Sequence, residues 1–120
     1  MKIVTKRVGE AAAVSEVEKL ELKDMQAIVD GLIQPIYLDD IICWCNEESK
    51  LLGMDVNIAL TETYAGEIID TVHGDVFFTN AVEGEEGLNT GQIQSLLERL
   101  NDGIRTFARS DFHQVPILVI

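Results

Sequence analysis

Apolar and polar positions along the chain fall into short runs of two different periods. Residues 32–53, LIQPIYLDDIICWCNEESKLLG, read as two strands, Ile33–Leu38 and 41–45. Asp39-Asp40 pinches the pair, and the polar turn Asn46-Glu47-Glu48-Ser49 closes it. Ile33, Ile36, Tyr37, Ile41, Ile42 and Trp44 are β-branched or aromatic, in runs too short for a typical helix. Pro35 cannot donate to a ladder, so the first strand is expected at an edge or a bulge. Strand alternation puts Ile41, Cys43 and Cys45 on one face and Ile42 and Trp44 on the other. A strand apolar on both faces is expected to be central and covered on both sides.

The other segments are read as partners or covers for this pair. Residues 2–8, KIVTKRV, have strand character, and Gly9-Glu10 is a turn leading to a second alternating run, 13–20, so a β-hairpin is expected. In residues 22–30, Leu22, Met25, Ile28, Val29 and the following Leu32 recur at helical spacing, with Gly31 placed to end the helix in a left-handed conformation. Residues 50–60 fit neither period, because Gly53 and Asn57 interrupt both; a loop is expected, with a helical turn over 56–60. Residues 61–67 are a polar connection. Residues 68–82 are strand-like with Gly74 as a bulge or tight turn, and 83–87, EGEEG, is an exposed loop. A second helix is predicted over 90–100. Asn89 is its N-cap, Gln92 completes a capping box, and Leu88 with Ile93 forms a hydrophobic staple. Asn101-Asp102-Gly103 ends it or bends it. The tail, 112–120, ends in VPILVI, which is expected to return to a sheet edge within the chain, with a contact to a partner copy as the lesser reading. The expected fold is therefore a single α+β domain over residues 1–120, a small mostly antiparallel sheet with two main helices packed on it.

Several of these residues stand in a familiar order. Asn46-Glu47-Glu48, Lys50-Leu51, Gly53, Asn57 and Ala59 are followed by Ile68-Ile69-Asp70, Gly74, paired phenylalanines and the Leu88-capped helix. This string resembles DUF3846, a small family catalogued as a domain of unknown function and carried mainly by phages, plasmids and conjugative elements. In that family a strand ends in Asn-Glu-Glu-Gly-Lys-Leu and leads to a Gly-Leu-Pro-x-Asn loop. Here Ser49 replaces the glycine and Asp55 the proline. The resemblance spans roughly residues 2–100 and leaves the tail, 103–120, unmatched. It implies a mobile-element accessory protein in a bacterial host and carries no reaction with it.

Composition narrows the function classes. The 120 residues suffice for one core, and a hydrophobic share of 47% places the chain far from disorder. No apolar run approaches a membrane span and the start of the chain lacks a signal-peptide pattern, so a cytoplasmic protein without membrane contact is expected. Nine Lys and Arg stand against 21 Asp and Glu, for a net charge of −12, and residues 51–98 contain no Lys or Arg at all. Nucleic-acid backbones are bound through clustered cations, so direct DNA or RNA binding is not expected. The acidity suits a basic protein partner, a surface that imitates nucleic acid, or plain solubility. Two cysteines in a Cys-x-Cys run along a strand have Cα atoms about 6.5–7 Å apart, at the limit for a disulfide. His73 and His113 show no metal-ligand spacing with them. Reduced, buried cysteines and no metal or cofactor are expected.

Three groups of residues invite a chemical reading. Asn46, Glu47, Glu48 and Asn57 would form a polar binding site at the mouth of the strand pair, or else serve their own turns and caps. His73 and Asp75 would make a base–carboxylate pair, but no nucleophile is marked: Ser49, Ser95 and Ser110 lack a Gly-x-Ser-x-Gly setting. Glu83, Glu85 and Glu86 lack the alternate-acid spacing of a calcium loop and read as a solvated protein-binding loop. The chain is thus expected to be non-enzymatic, a monomer or weak homodimer that binds a protein through an acidic surface. A small-ligand binder or enzyme using the loops around Asn46 and Asn57, and a nucleic-acid mimic, are the alternatives.

Overall fold

The computed structural model describes residues 1–63, 66–108 and 113–120. Tyr64 and Ala65 of the expected polar connection, and Ser110 and Phe112 near the tail, lie outside the described residues. Among those described, nine strands form two sheets. The first sheet holds β1 (Lys2–Lys6), β2 (Ala13–Glu16), β3 (Ile33–Leu38), β4 (Ile41–Asn46) and β7 (Val76–Asn80), in the order β2-β1-β7-β4-β3, all antiparallel. The second holds β5 (Val56–Thr61), β6 (Ile68–His73), β8 (Arg105–Phe107) and β9 (Gln114–Val119), in the order β6-β5-β9-β8. Within it, β5 and β9 run parallel.

The β3–β4 hairpin forms as its pattern demands. Leu38 pairs with Ile41 across a two-residue turn, and Asp39 takes the left-handed conformation at φ 60°, which Asp tolerates. Pro35 lies on β3, an edge strand, where its missing N–H costs no ladder bond to a neighbour. On β7, Val76, Phe77 and Phe78 are all fully buried in succession, because the first sheet is covered on both faces. Phe77 faces α1 (Leu22–Val29) together with Ile3, Val29 and Trp44. The Trp44 and Phe77 rings stack with centroids 6.3 Å apart. Phe78, Val4, Ile41, Cys43 and Cys45 face the other way. They meet Ile58, Leu60, Val72 and Leu118 of the second sheet and Leu96 and Leu100 of the second helical segment in one continuous core.

That segment is α2 (Thr90–Leu97), continued by a π-turn over Glu98–Asp102. Its N-terminus matches the sequence pattern: Asn89 Oδ1 accepts from the Gln92 N–H at 2.8 Å, and Gln92 Oε1 accepts from the Asn89 N–H at 3.0 Å.

The architecture is mostly β and built on two sheets, not the expected single small sheet carrying two packed helices. Three differences produce it. Residues 56–61 are a strand, β5, rather than a loop with a helical turn. Residues 68–82 do not stay in one sheet: at Gly74, φ 78°, the chain turns sharply and passes from β6 in the second sheet to β7 in the first. The C-terminal residues form β9 between β5 and β8, inside the chain. α1 also ends differently: Asp30, φ 58°, is its left-handed residue, not Gly31.

Candidate functional site

The candidate binding residues separate into buried connectors and exposed loops. Asn46, 2% exposed, is spent on α1. Its amide nitrogen donates to the carbonyls of Val29 at 3.2 Å and Asp30 at 3.0 Å, and its Oδ1 accepts from the Glu48 N–H at 2.7 Å. It thus satisfies carbonyls at a helix C-terminus that would otherwise lack partners. Gly31 is required for this approach, since a Cβ there would lie 2.5 Å from Asn46 Nδ2.

Asn57 is fully buried in β5 and ties three segments together. Its amide donates to the Lys6 and Gly74 carbonyls, both at 2.8 Å, while its Oδ1 accepts from Lys6 Nζ at 2.9 Å. Asn57 caps no helical turn. Neither asparagine presents a free polar atom to a ligand. Glu47 and Glu48 are exposed beside them, and so are Glu83, Glu85 and Glu86. Because β4 and β7 are antiparallel, with Ile41 opposite Asn80 and Trp44 opposite Phe77, these two acidic groups emerge at opposite ends of the first sheet.

The His73–Asp75 pair is also dissolved. The His73 Nδ1 lies 2.8 Å from the Met54 carbonyl, which can only accept, so Nδ1 carries the proton. In the neutral ring Nε2 then accepts from the Thr71 hydroxyl at 2.8 Å. Asp75 instead accepts from the Val8 N–H at 2.9 Å. Cys43 and Cys45 are free thiols buried between the sheets, and burial raises both above the usual thiol range. Neither is poised as a thiolate nucleophile.

What the structure does assemble is a cleft of about 620 Å³ on the outer face of the second sheet. Val56, Ala59 and Val115 line its floor; Ala59 and Val115 are buried, and Ala108 packs with them. Ile68, Thr71 and His73 form the β6 wall, and Thr106 and Phe107 the β8 wall. Met54 and Asp55 close one end. Phe107 is 71% exposed, and Leu51 and Leu52 stand exposed in the turn that also carries Lys50. Lys50 Nζ lies 2.5 Å from Asp70 Oδ1. This hydrogen bond holds the Asp70 carboxyl below its ordinary range, helped by the Thr71 N–H against partial burial. The cleft therefore offers an apolar floor, two hydroxyls, one imidazole locked in orientation and an ion pair at the rim.

Sequence reasoning named His73 but not this setting. The floor comes from β5, which resembled a loop, and from β9. The usable signal was the continuous apolar run over residues 115–120 in the tail, as in a strand buried on both faces. Among the described residues no group of three His, Cys, Asp or Glu side chains is placed to hold a metal ion, and no helix is long and apolar enough to cross a membrane.

The profile of a family described as a domain of unknown function, DUF3846, matches residues 1–101, so the chain belongs to that family. No curated protein and no solved structure matches the chain. The family match ends before β8, so two of the four strands that build the cleft lie beyond it.

Proposed function

We propose that this chain acts by binding rather than turnover, as an accessory protein of a phage or other mobile element, and that the cleft on the second sheet is its recognition site. The observation that carries this reading is the cleft itself. Its volume of about 620 Å³ lies within the range of about 300–1,000 Å³ usual for ligand sites, and an apolar floor with few, convergent polar groups is their usual lining. The ligand it suits has a compact apolar body to lie on Val56, Ala59 and Val115 and a polar end that donates to the Thr71 hydroxyl oxygen, whose own proton is committed to His73.

A thermal-shift screen of small molecules tests it, run on wild type beside Ala59→Leu, which fills the floor, and Phe107→Ala, which removes a wall. A stabilising ligand that binds wild type at least tenfold more tightly than Ala59→Leu supports the reading. A ligand whose affinity neither variant changes overturns it.

The protein-partner reading rests on the exposed loop carrying Glu83, Glu85 and Glu86. It predicts a protein retained by wild type from a host lysate and lost by the triple Glu→Gln variant. The separation of this loop from Glu47 and Glu48 across the first sheet argues against a nucleic-acid mimic, which needs its carboxylates on one face.

A further inference from the structure

A second cavity, of about 310 Å³, opens where the β1–β2 loop of the first sheet meets β8 and β9 of the second. Lys6, Asn101, Arg105 and Gln114 supply its polar side chains, with Glu10 at its edge. Lys6 and Arg105 reach it from different sheets. Lys6 is 3% exposed, and two of its three N–H groups are used, one on Asn57 Oδ1 and one on the Arg7 carbonyl, both at 2.9 Å. Arg105 donates through Nη2 to the carbonyls of Leu100 and Asn101, where the π-turn ends. Its Nε and Nη1 hydrogens have no acceptor among the described residues.

In a chain of net charge −12, these two cations stand close together and neither makes an ion pair among the described residues. Asp75 is already occupied by the Val8 N–H, and Glu10 is exposed. We propose that this cavity is a binding site for a small oxyanion, a phosphate or carboxylate group, held between Lys6 and Arg105 at the junction of the two sheets. Such a group accepts from the free N–H of Lys6 and from the guanidinium fork, as charge-assisted hydrogen bonds do. It also relieves the repulsion between the two cations.

The charges around Lys6 set the pH dependence. Burial, and next the Arg105 guanidinium, pull its pKa from 10.5 down to about 8, while Asp75 and Glu10 pull it partly back. Oxyanion binding needs the ammonium form, so it weakens as pH rises through about 8.

Isothermal titration of the full chain with inorganic phosphate, sulfate and acetate, at constant ionic strength, tests the site. Amide chemical shifts followed in parallel show where each anion binds. Sulfate keeps its charge between pH 7 and 9.5 and therefore isolates the lysine. Gln114→Glu places a carboxylate at the cavity from an exposed position at the start of β9. One-to-one binding is expected with shifts centred on Lys6, Arg105 and Gln114. Affinity should fall at least tenfold in Gln114→Glu, and at least tenfold for sulfate between pH 7 and 9.5. Phosphate and sulfate binding without acetate assigns the site to phosphate-like groups, and acetate binding extends it to carboxylates. Absence of binding by all three, shifts centred elsewhere, or an affinity indifferent to both Gln114→Glu and pH overturns the proposal.

Discussion

The two sheets of this molecule are built from similar residues and finished differently. The first is covered on both faces, by α1 on one side and by the second sheet and α2 on the other, so that consecutive residues of β7 are all buried. The second, among the described residues, is covered on its inner face by the first sheet and α2, while its outer face carries only the small cluster of Ala59, Ala108 and Val115 at the floor of the cleft. Apolar side chains on the first sheet are spent on stability. Those on the outer face of the second remain within reach of a ligand, which is the economy expected of a rigid scaffold that carries a recognition surface.

Breaking the covered sheet should have the largest effect. Phe77→Ala removes a fully buried ring that stacks on Trp44 beneath α1 and should cost about 3–5 kcal/mol, read from the denaturant midpoint at unchanged slope. Asn57→Ala attacks the tie between the sheets. It strands the Lys6 ammonium and two carbonyls, and should cost about 2–3 kcal/mol by the same measurement.

The same tie has a pH signature. Lys6 has a folded pKa of about 8 against an ordinary 10.5, so between these values the unfolded chain binds more protons than the folded one. Stability from this group therefore rises with pH across that window, by on the order of 3 kcal/mol, and is flat below it. The difference between the stability–pH curves of wild type and Lys6→Met isolates it. Asn46→Ala uncaps the C-terminus of α1 and should cost about 1–2 kcal/mol, with faster amide exchange confined to α1 and the Glu48 turn. Phe107→Ala, on the open sheet, should change stability by less than about 0.5 kcal/mol while weakening binding in the cleft. Equal stability losses from Phe77→Ala and Phe107→Ala would erase the distinction between the sheets.

Legibility in the sequence followed the same divide. The β3–β4 hairpin and the capped start of α2 could be read because local chemistry decides them: Pro35 at an edge, Asp39 in the turn, Asn89 and Gln92 in reciprocal bonds. The strand β5 could not. Five of its six residues are buried, so it shows no alternation, and Asn57 imitates a loop residue while its side chain satisfies buried groups from two other segments. Gly74 was visible as a break, but nothing local says that the strands flanking it join different sheets. The cleft was illegible for that reason: its residues come from β5, β6, β8 and β9 and meet only through long-range pairing. Asn46 and Asn57 stand out in the sequence as polar residues at the mouth of the strand pair; Asn46 does serve its own turn through the Glu48 N–H, but both side chains are internal ties rather than a binding surface.

The placement of β9 has a consequence in time. It sits between β5 and β8 and pairs Ala59 with Ile117 and Leu60 with Leu118, across about sixty residues of chain. During synthesis from the N-terminus, the strands of the first sheet all leave the ribosome before it. Until β9 arrives, β5 has β6 on one side and an open row of N–H and C=O groups on the other. Such an edge is a template for any extended segment nearby. The nascent protein therefore passes through an interval in which its most buried strand is also its most adhesive, and that interval closes only when the C-terminal residues slide into place.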